Sequence, residues 1–315
     1  MMIDAIIEVD SSNNKHTEIS ENKPKVAIVI LNFNGLEDTI RCLESLKKIK
    51  YSNYEVIVVD NGSEGEDARI LEERYGEWAT IIKNERNLGA AEGRNVGIRF
   101  ALKHLNPDYV MLLDNDVIVD AEFLNQLVEI AESNREIGIL SSKDEVTKGR
   151  EKAISKLIAK LDSYAISGFR RKKKRISDRI LLIDYVSCCS ILVRRKLLEE
   201  VGLFDSKFFY LSEDYDLCKR ARRAGYKVAI ALNSRIWHRK MGGVARKSSA
   251  LTYYFRTRNY LFIMRKHGSL LDWLRFIPFY ILNLSIRLIF YFLKKRTDIV
   301  KALIKGLHDG IFETL

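Results

Sequence analysis

Short β-branched apolar runs alternate with amphipathic stretches through the first third of the chain. VAIVILNF (26–33) is followed by Asn34 and Gly35, residues that turn a chain, and then by LEDTIRCLESLKK (36–48), whose apolar positions recur at helical spacing. YEVIVVD (54–60) closes on Asn61-Gly62-Ser63, and a second helical pattern covers 67–75. A third strand is predicted at 80–83 and a fourth at 109–113, separated by the glycine-bearing helical stretch NLGAAEGRNVGIRFALKH. The strand runs are apolar on both faces, as a parallel sheet buried between helices requires. An α/β fold follows, with ligands expected beyond the carboxyl ends of the strands, where Asp60 and Asp114 stand.

The pattern weakens between 141 and 179, a span holding six consecutive basic residues at 170–175, and a mobile insertion or loop over the site is expected there. Order returns with IDYVSCCSILVRRKLLEEVG, read as strand then helix. Three units are expected: a flexible tail over 1–24, a main α/β domain over 25–247, and an aromatic, basic helical module over 248–315.

Composition narrows the class. With 315 residues, 47% of them apolar, the chain can bury a large core and is no disordered protein. The net charge of +11 is concentrated at one end: from Arg235 onward there are 16 Lys and Arg against 4 Asp and Glu. Such a region suits lipid headgroups or nucleic-acid phosphates, or a solvated face. Cys42, Cys188, Cys189 and Cys218 show no metal or disulfide spacing and read as reduced thiols in a cytosolic protein. The first twenty residues carry acids where an export signal carries a basic start, so no export is expected.

MLLDNDVIVD (111–120) ends an apolar strand with two carboxylates, an arrangement that is costly unless something positive sits beside them. Asp114 and Asp116, two apart in extended chain, could converge on one hard cation; two solvated aspartates on a capped turn fit as well. Gly89, Gly93 and Gly97 fall four residues apart and make a smooth helical face for backbone or ligand. Arg94 beside it could reach a diphosphate or form a structural ion pair. Glu213, Asp214 and Asp216 open a helix in LSEDYDLCKRARRAGY, where they either favour its N-terminus or supply a general base. His238 follows a further apolar strand in IWHRKMGG, with Gly242 and Gly243 permitting a loop over a ligand.

VAIVILNFNG, VIVVDNGS, NLGAAEGRNVGI, MLLDNDV, GLFDSKFFYLSEDYDLCKRARRAGY and WHRKMGG, in that order, resemble family-2 glycosyltransferases. The resemblance spans 25–258 and looks closest to rhamnosyltransferase-like members. It implies the GT-A fold, a Rossmann-like, mostly parallel sheet flanked by helices, here with a C-terminal basic and aromatic helical module. It implies donor binding by Asn32, Asn34, Asp60, Gly89, Arg94, Asp114 and Asn115. A divalent cation, Mg²⁺ or Mn²⁺, is implied at Asp114, Asp116 and His238, and catalysis by Asp214 with Glu213. The implied reaction is inverting transfer of a hexosyl or deoxyhexosyl group from a nucleotide-diphosphate sugar to a hydroxyl of a glycan or lipid-linked acceptor. The alternative is a catalytically silent sugar-nucleotide-binding partner of a glycan assembly complex. Gln126 is the sole glutamine and no arginine-tryptophan pair follows it, so the QxxRW motif of processive synthases is absent and addition of one or a few sugars is expected.

WLRFIPFYILNLSIRLIFYFL (273–293) is long enough to span a bilayer but contains Arg275, Asn283 and Arg287. Two central arginines cost about 5 to 7 kcal/mol on an insertion scale, against roughly 4 to 8 returned by the apolar residues. The balance favours a helix or hairpin in the interface, broken near Pro278, with Lys294, Lys295 and Arg296 on anionic headgroups. Peripheral membrane contact at the cytoplasmic face is therefore expected, with no nucleic acid partner, because the basic residues are interleaved with apolar bulk.

Overall fold

The computed structural model describes residues 23–145, 174–238 and 250–314. Strands β1 (Val26–Asn32), β2 (Tyr54–Asp60), β3 (Ala79–Lys83) and β4 (Tyr109–Asp114) match the four expected runs to within one residue at either end. Between them lie helices α1 (Leu36–Leu46), α2 (Asp67–Tyr75) and α3 (Gly89–His104). The chain continues through β5 (Val117–Val119), α4 (Phe123–Ser133), β6 (Ile137–Asp144), β7 (Lys174–Arg175), β8 (Ile180–Leu182) and β9 (Ser190–Arg194). Helices α5 (Arg195–Val201) and α6 (Glu213–Arg223) precede the long strand β10 (Lys227–His238). Helices α7 (Ala250–His267), α8 (Leu270–Leu293) and α9 (Thr297–Phe312) end the fold.

One sheet runs β3-β2-β1-β4-β9-β6-β10-β8-β7, with β5 pairing on β10. Its first four strands are parallel; β9 is antiparallel to both β4 and β6. Alternate residues of β1 feed two cores. Val26, Ile28 and Ile30 meet Cys42, Leu43 and Leu46 of α1, whereas Ala27 and Val29 meet Ala91, Ile98 and Ala101 of α3. This double burial is why the strands read as unbroken apolar runs. Gly97 lets α3 approach β1 closely: a Cβ there would lie 2.4 Å from Val29 Cγ1.

The weak pattern over 141–179 is ordered at both ends, since Ser141 to Asp144 belong to β6 and Lys174 and Arg175 to a short hairpin with β8. The rest of that expected insertion, like the N-terminal tail up to residue 22, lies outside the described residues.

Helix α7 is bonded to the loop and helix that precede β10. Arg258 donates to Lys207 O at 2.6 Å, and Asn259 Nδ2 donates to Tyr210 O at 2.9 Å and Leu211 O at 2.6 Å. Asp216, fully buried, takes His267 Nε2 at 2.7 Å, Lys266 Nζ at 2.9 Å and Arg220 Nε at 2.8 Å. Burial alone would raise its carboxyl; the His267 hydrogen bond and the Arg220 charge outweigh it and hold Asp216 down at about 2. The expected break near Pro278 is absent, and α8 runs unbroken through it. The proline ring lies on the exposed side of the helix, where it displaces no packed neighbour.

Two outcomes follow for Asp216. Asp216→Ala is expected to lower stability by about 3 kcal/mol, the low end for breaking a buried ion pair, because Lys266 keeps Asp205 and Arg220 keeps three carbonyls. Urea unfolding checks it. Because the folded-state pKa is depressed, this contribution is complete above the unfolded value near 4 and is lost as pH falls toward about 2.

Candidate active site

The carboxyl ends of β1 and β2 form a polar floor. Asn32, fully buried, donates through Nδ2 to Asp60 Oδ1 at 2.8 Å and Asp67 Oδ2 at 3.0 Å, and its Oδ1 accepts Thr39 Oγ1 at 2.9 Å. The Asp60 carboxylate also accepts Ser63 N at 3.1 Å and Ser63 Oγ at 2.6 Å. Asn34 adopts a left-handed backbone (φ 51°) and its Oδ1 accepts Glu64 N at 2.9 Å, tying the first loop to the second. Asn115 Nδ2 donates to Thr39 Oγ1 at 2.9 Å. Thr39, Ser63 and Asp67 escape a motif reading because each is an ordinary residue until the fold brings it against Asn32.

Asp114 ends β4 and Asp116 sits in the two-residue turn before β5, so the extended geometry expected for the pair is replaced by a strand and a turn. Their ligand atoms nevertheless converge with that of His238, at the end of β10, all within 4.8 Å of one another. Antiparallel pairing of β10 with β5 brings them together by placing His238 opposite Val117. His238 Nε2 lies 3.0 Å from Asp116 Oδ1, and that hydrogen bond pushes the imidazole pKa up. Asp144 stands beside the group, its Oδ2 3.9 Å from His238 Nδ1 and its buried Oδ1 without a hydrogen-bond partner among the described residues. Beneath the turn, the Cys42 thiol is pushed up by burial and then by the charges of Asp116 and Asp114. Two carboxylates and an imidazole, with a further unsatisfied carboxylate oxygen nearby, suit a hard or borderline divalent cation.

Arg94 joins this group to α6. Its guanidinium, nearly buried, donates to Asp114 Oδ1 at 2.7 Å and Glu213 Oε1 at 2.8 Å. Of the two readings open in the sequence, the structure makes the ion pair. The preceding loop is strained: Leu211 and Ser212 have φ of 69° and 72°, a region costly for side-chain-bearing residues. Asn259 from α7 holds it by binding two successive carbonyls. Burial first, and the Glu213 charge second, push Asp214 up to about 7. Its Oδ1 accepts Tyr215 N at 2.7 Å and its Oδ2 accepts Tyr185 Oη at 3.0 Å. Tyr185 belongs to a strap across α6: Asp184 pairs with Arg222 at 2.9 Å, and Cys218 Sγ points to Val186 O.

Residues 24–260 match the family model described as glycosyltransferase like family 2. The chain belongs to that family. An uncharacterised glycosyltransferase of Haemophilus influenzae is 26% identical over 225 residues, covering 70% of this chain and 71% of the relative. A low-salt glycan biosynthesis hexosyltransferase, Agl10 of Haloferax volcanii, is 24% identical over 250 residues, 74% and 73% of the two chains. Among solved structures, GalNAc-T7 with UDP, GalNAc and Mn²⁺ superposes with a TM-score of 0.60 at 17% identity, over 78% of this chain and 48% of that one. The fold is therefore that of a GT-A glycosyltransferase, and the protein is a family-2 glycosyltransferase.

Within this glycosyltransferase, Asp60, Asp114 and His238 end strands and Asn115 and Asp116 form the turn after β4, Glu213 and Asp214 open α6, and Asn32 and Asn34 are tied into the floor by their hydrogen bonds. Gly89 is turned inward: its φ of 82° favours glycine, and a Cβ would meet Phe209 O at 2.4 Å. Gly93 similarly faces Leu31 and Asn61. Gly242 and Gly243 lie outside the described residues. Because burial raises the Asp214 pKa, its folded state holds a proton that the unfolded state releases, which costs stability increasingly from about pH 4 up to about 7 and fully above. Asp214→Asn is thus expected to raise stability at pH 8 by about 1 kcal/mol or more, seen as a higher thermal midpoint, with no gain at pH 4; calorimetry at both pH values checks it.

Proposed function

We propose that this glycosyltransferase transfers a hexosyl or deoxyhexosyl group, with inversion, from a nucleotide-diphosphate sugar to a hydroxyl of a glycan or lipid-linked acceptor. The observation that carries the reading is the Arg94 bridge, which fixes the Asp114, Asp116, His238 cluster to the helix that opens with Glu213 and Asp214. In this reading Asp60 and the polar floor hold the nucleoside, as the notched ends of adjacent parallel strands suit. Asp114, Asp116 and His238 would hold Mg²⁺ or Mn²⁺, which when bound offsets the charge that develops on the diphosphate leaving group. Mn²⁺ with UDP in GalNAc-T7 supports that choice.

Asp214 takes the acceptor proton as the acceptor oxygen attacks the anomeric carbon, while the bond from that carbon to the diphosphate oxygen breaks. One displacement from the face opposite the leaving group inverts the centre. A base raised to about 7 is matched to this work near neutral pH, since it is ionised enough to act and basic enough to accept the proton. Glu213 is held by Arg94 and serves to keep that guanidinium, and with it Asp114, in place. The exposed apolar residues of α8 and the basic run Lys294, Lys295 and Arg296 after it support placing the reaction at the cytoplasmic face of a membrane, where a lipid-linked acceptor would be met.

Asp214→Asn is expected to lower turnover by about 10² to 10⁴-fold while leaving donor binding within a factor of about two. Wild-type turnover should fall as pH drops below about 7. Asp116→Ala should abolish the additional thermal stabilisation that a panel of nucleotide sugars produces with Mn²⁺ over that without it. Donor binding by the wild type with no turnover would leave only the silent partner, and unchanged turnover in both variants would overturn the roles given to Asp214 and Asp116.

A further inference from the structure

Helix α8 is built inside out. Its inward stripe is Phe276, Tyr280, Asn283 and Arg287, all buried, with Arg287 only 3% exposed. The Arg287 guanidinium lies 5.6 Å from the centre of the Tyr253 ring, and Tyr280 Oη donates to Thr257 O at 3.1 Å. The outward face is apolar instead: Leu274 is 63%, Ile281 56% and Phe292 71% exposed, with Leu270, Ile277 and Ile289 beside them. A helix packed on a domain in water shows the opposite arrangement. Of the three residues that count against insertion in the sequence, Asn283 and Arg287 are thus turned away from the surface that would meet lipid, and Arg275 stays exposed.

Length permits α8 to span a bilayer, and among the described residues it is the one helix long and apolar enough. Its neighbours do not permit it. The helix runs back along α7, Tyr280 meeting Thr257 and Tyr291 meeting Tyr253. The opposite side of α7 is bonded through Arg258, Lys266 and His267 to residues 205–216. Standing α8 across hydrocarbon would draw these ionic groups in with it, at prohibitive cost.

We propose that the outward face of α8 seats this protein on an anionic bilayer, with the helix axis along the surface. Charge commits the occupant: exposed Arg275, Lys294 and Lys295 flank the apolar face, and no acidic residue occurs from 273 to 297. Helix α7 alone separates α8 from the loop that ends at Glu213 and Asp214, a layer of about 10 Å. A bilayer on α8 would therefore lie one helix away from the loop that opens α6 and from the proposed base, where a lipid-linked hydroxyl has to be delivered. This step rests on the proposed function for the acceptor only, since the seat is drawn from α8 itself.

The full chain is sedimented with phosphatidylcholine vesicles, with and without a third of phosphatidylglycerol. Binding is expected to the anionic vesicles and to weaken with salt. Leu274→Glu with Ile281→Glu should weaken it by about tenfold or more at an unchanged thermal midpoint, since both side chains would leave lipid for water. Lys294→Glu with Lys295→Glu should remove the preference for anionic vesicles. Asp214→Asn should sediment like the wild type, so loss of transfer with retained binding counts against the catalytic reading alone. The seat is overturned if the wild type ignores anionic vesicles, if the Leu274 and Ile281 variant binds them undiminished, or if that face instead pairs two copies in vesicle-free buffer.

Discussion

A single guanidinium joins the two parts of this active site. Arg94 enters from α3, pinned against the sheet by the closeness that Gly97 allows, and meets one carboxylate from the end of β4 and another from the start of α6. Neither acid would be comfortable there alone. Asp114 shares a turn with Asp116, and Glu213 adjoins Asp214, so each side of the bridge carries surplus negative charge that the arginine only partly offsets. That residual charge is what a cation and a proton respectively answer, and it arises from placement rather than from any unusual residue.

The geometry on the α6 side is held at some cost. Two successive residues with side chains, Leu211 and Ser212, take left-handed backbone, and Asn259 from a helix far along the chain donates to the carbonyls of Tyr210 and Leu211. The C-terminal helices thus template the loop that leads into Glu213 and Asp214 as well as extending the fold. A contact made on their outer surface is mechanically close to α6 through Asp216, His267 and Lys266.

Much of this was legible in order and little of it in partnership. The β1 and β2 runs announce themselves because both faces are buried, and the acids at strand ends because ligands of such sheets gather there. The antiparallel insertion of β9 between β4 and β6 leaves no trace in local pattern, since SILVR is apolar in either direction. Arg94 was visible as a charge beside glycines, but its targets lie 20 and 119 residues away. Arg287 misled for the same reason: composition counts a charge without saying which way it points. Tyr185 carried no signal at all, because an aromatic after a strand usually belongs to the core.

The four cysteines gain a meaning from where they ended up. Cys42 lies under the turn that bears Asp116, Cys188 and Cys189 line the approach to β9, and Cys218 sits on α6 beneath the strap. Burial raises every one of these thiols, so in the native protein they are protonated and screened from reagents. The chain therefore contains its own local clocks: the rate at which each thiol becomes modifiable times the opening of one wall of the active site, and a bound donor should slow some of them and not others.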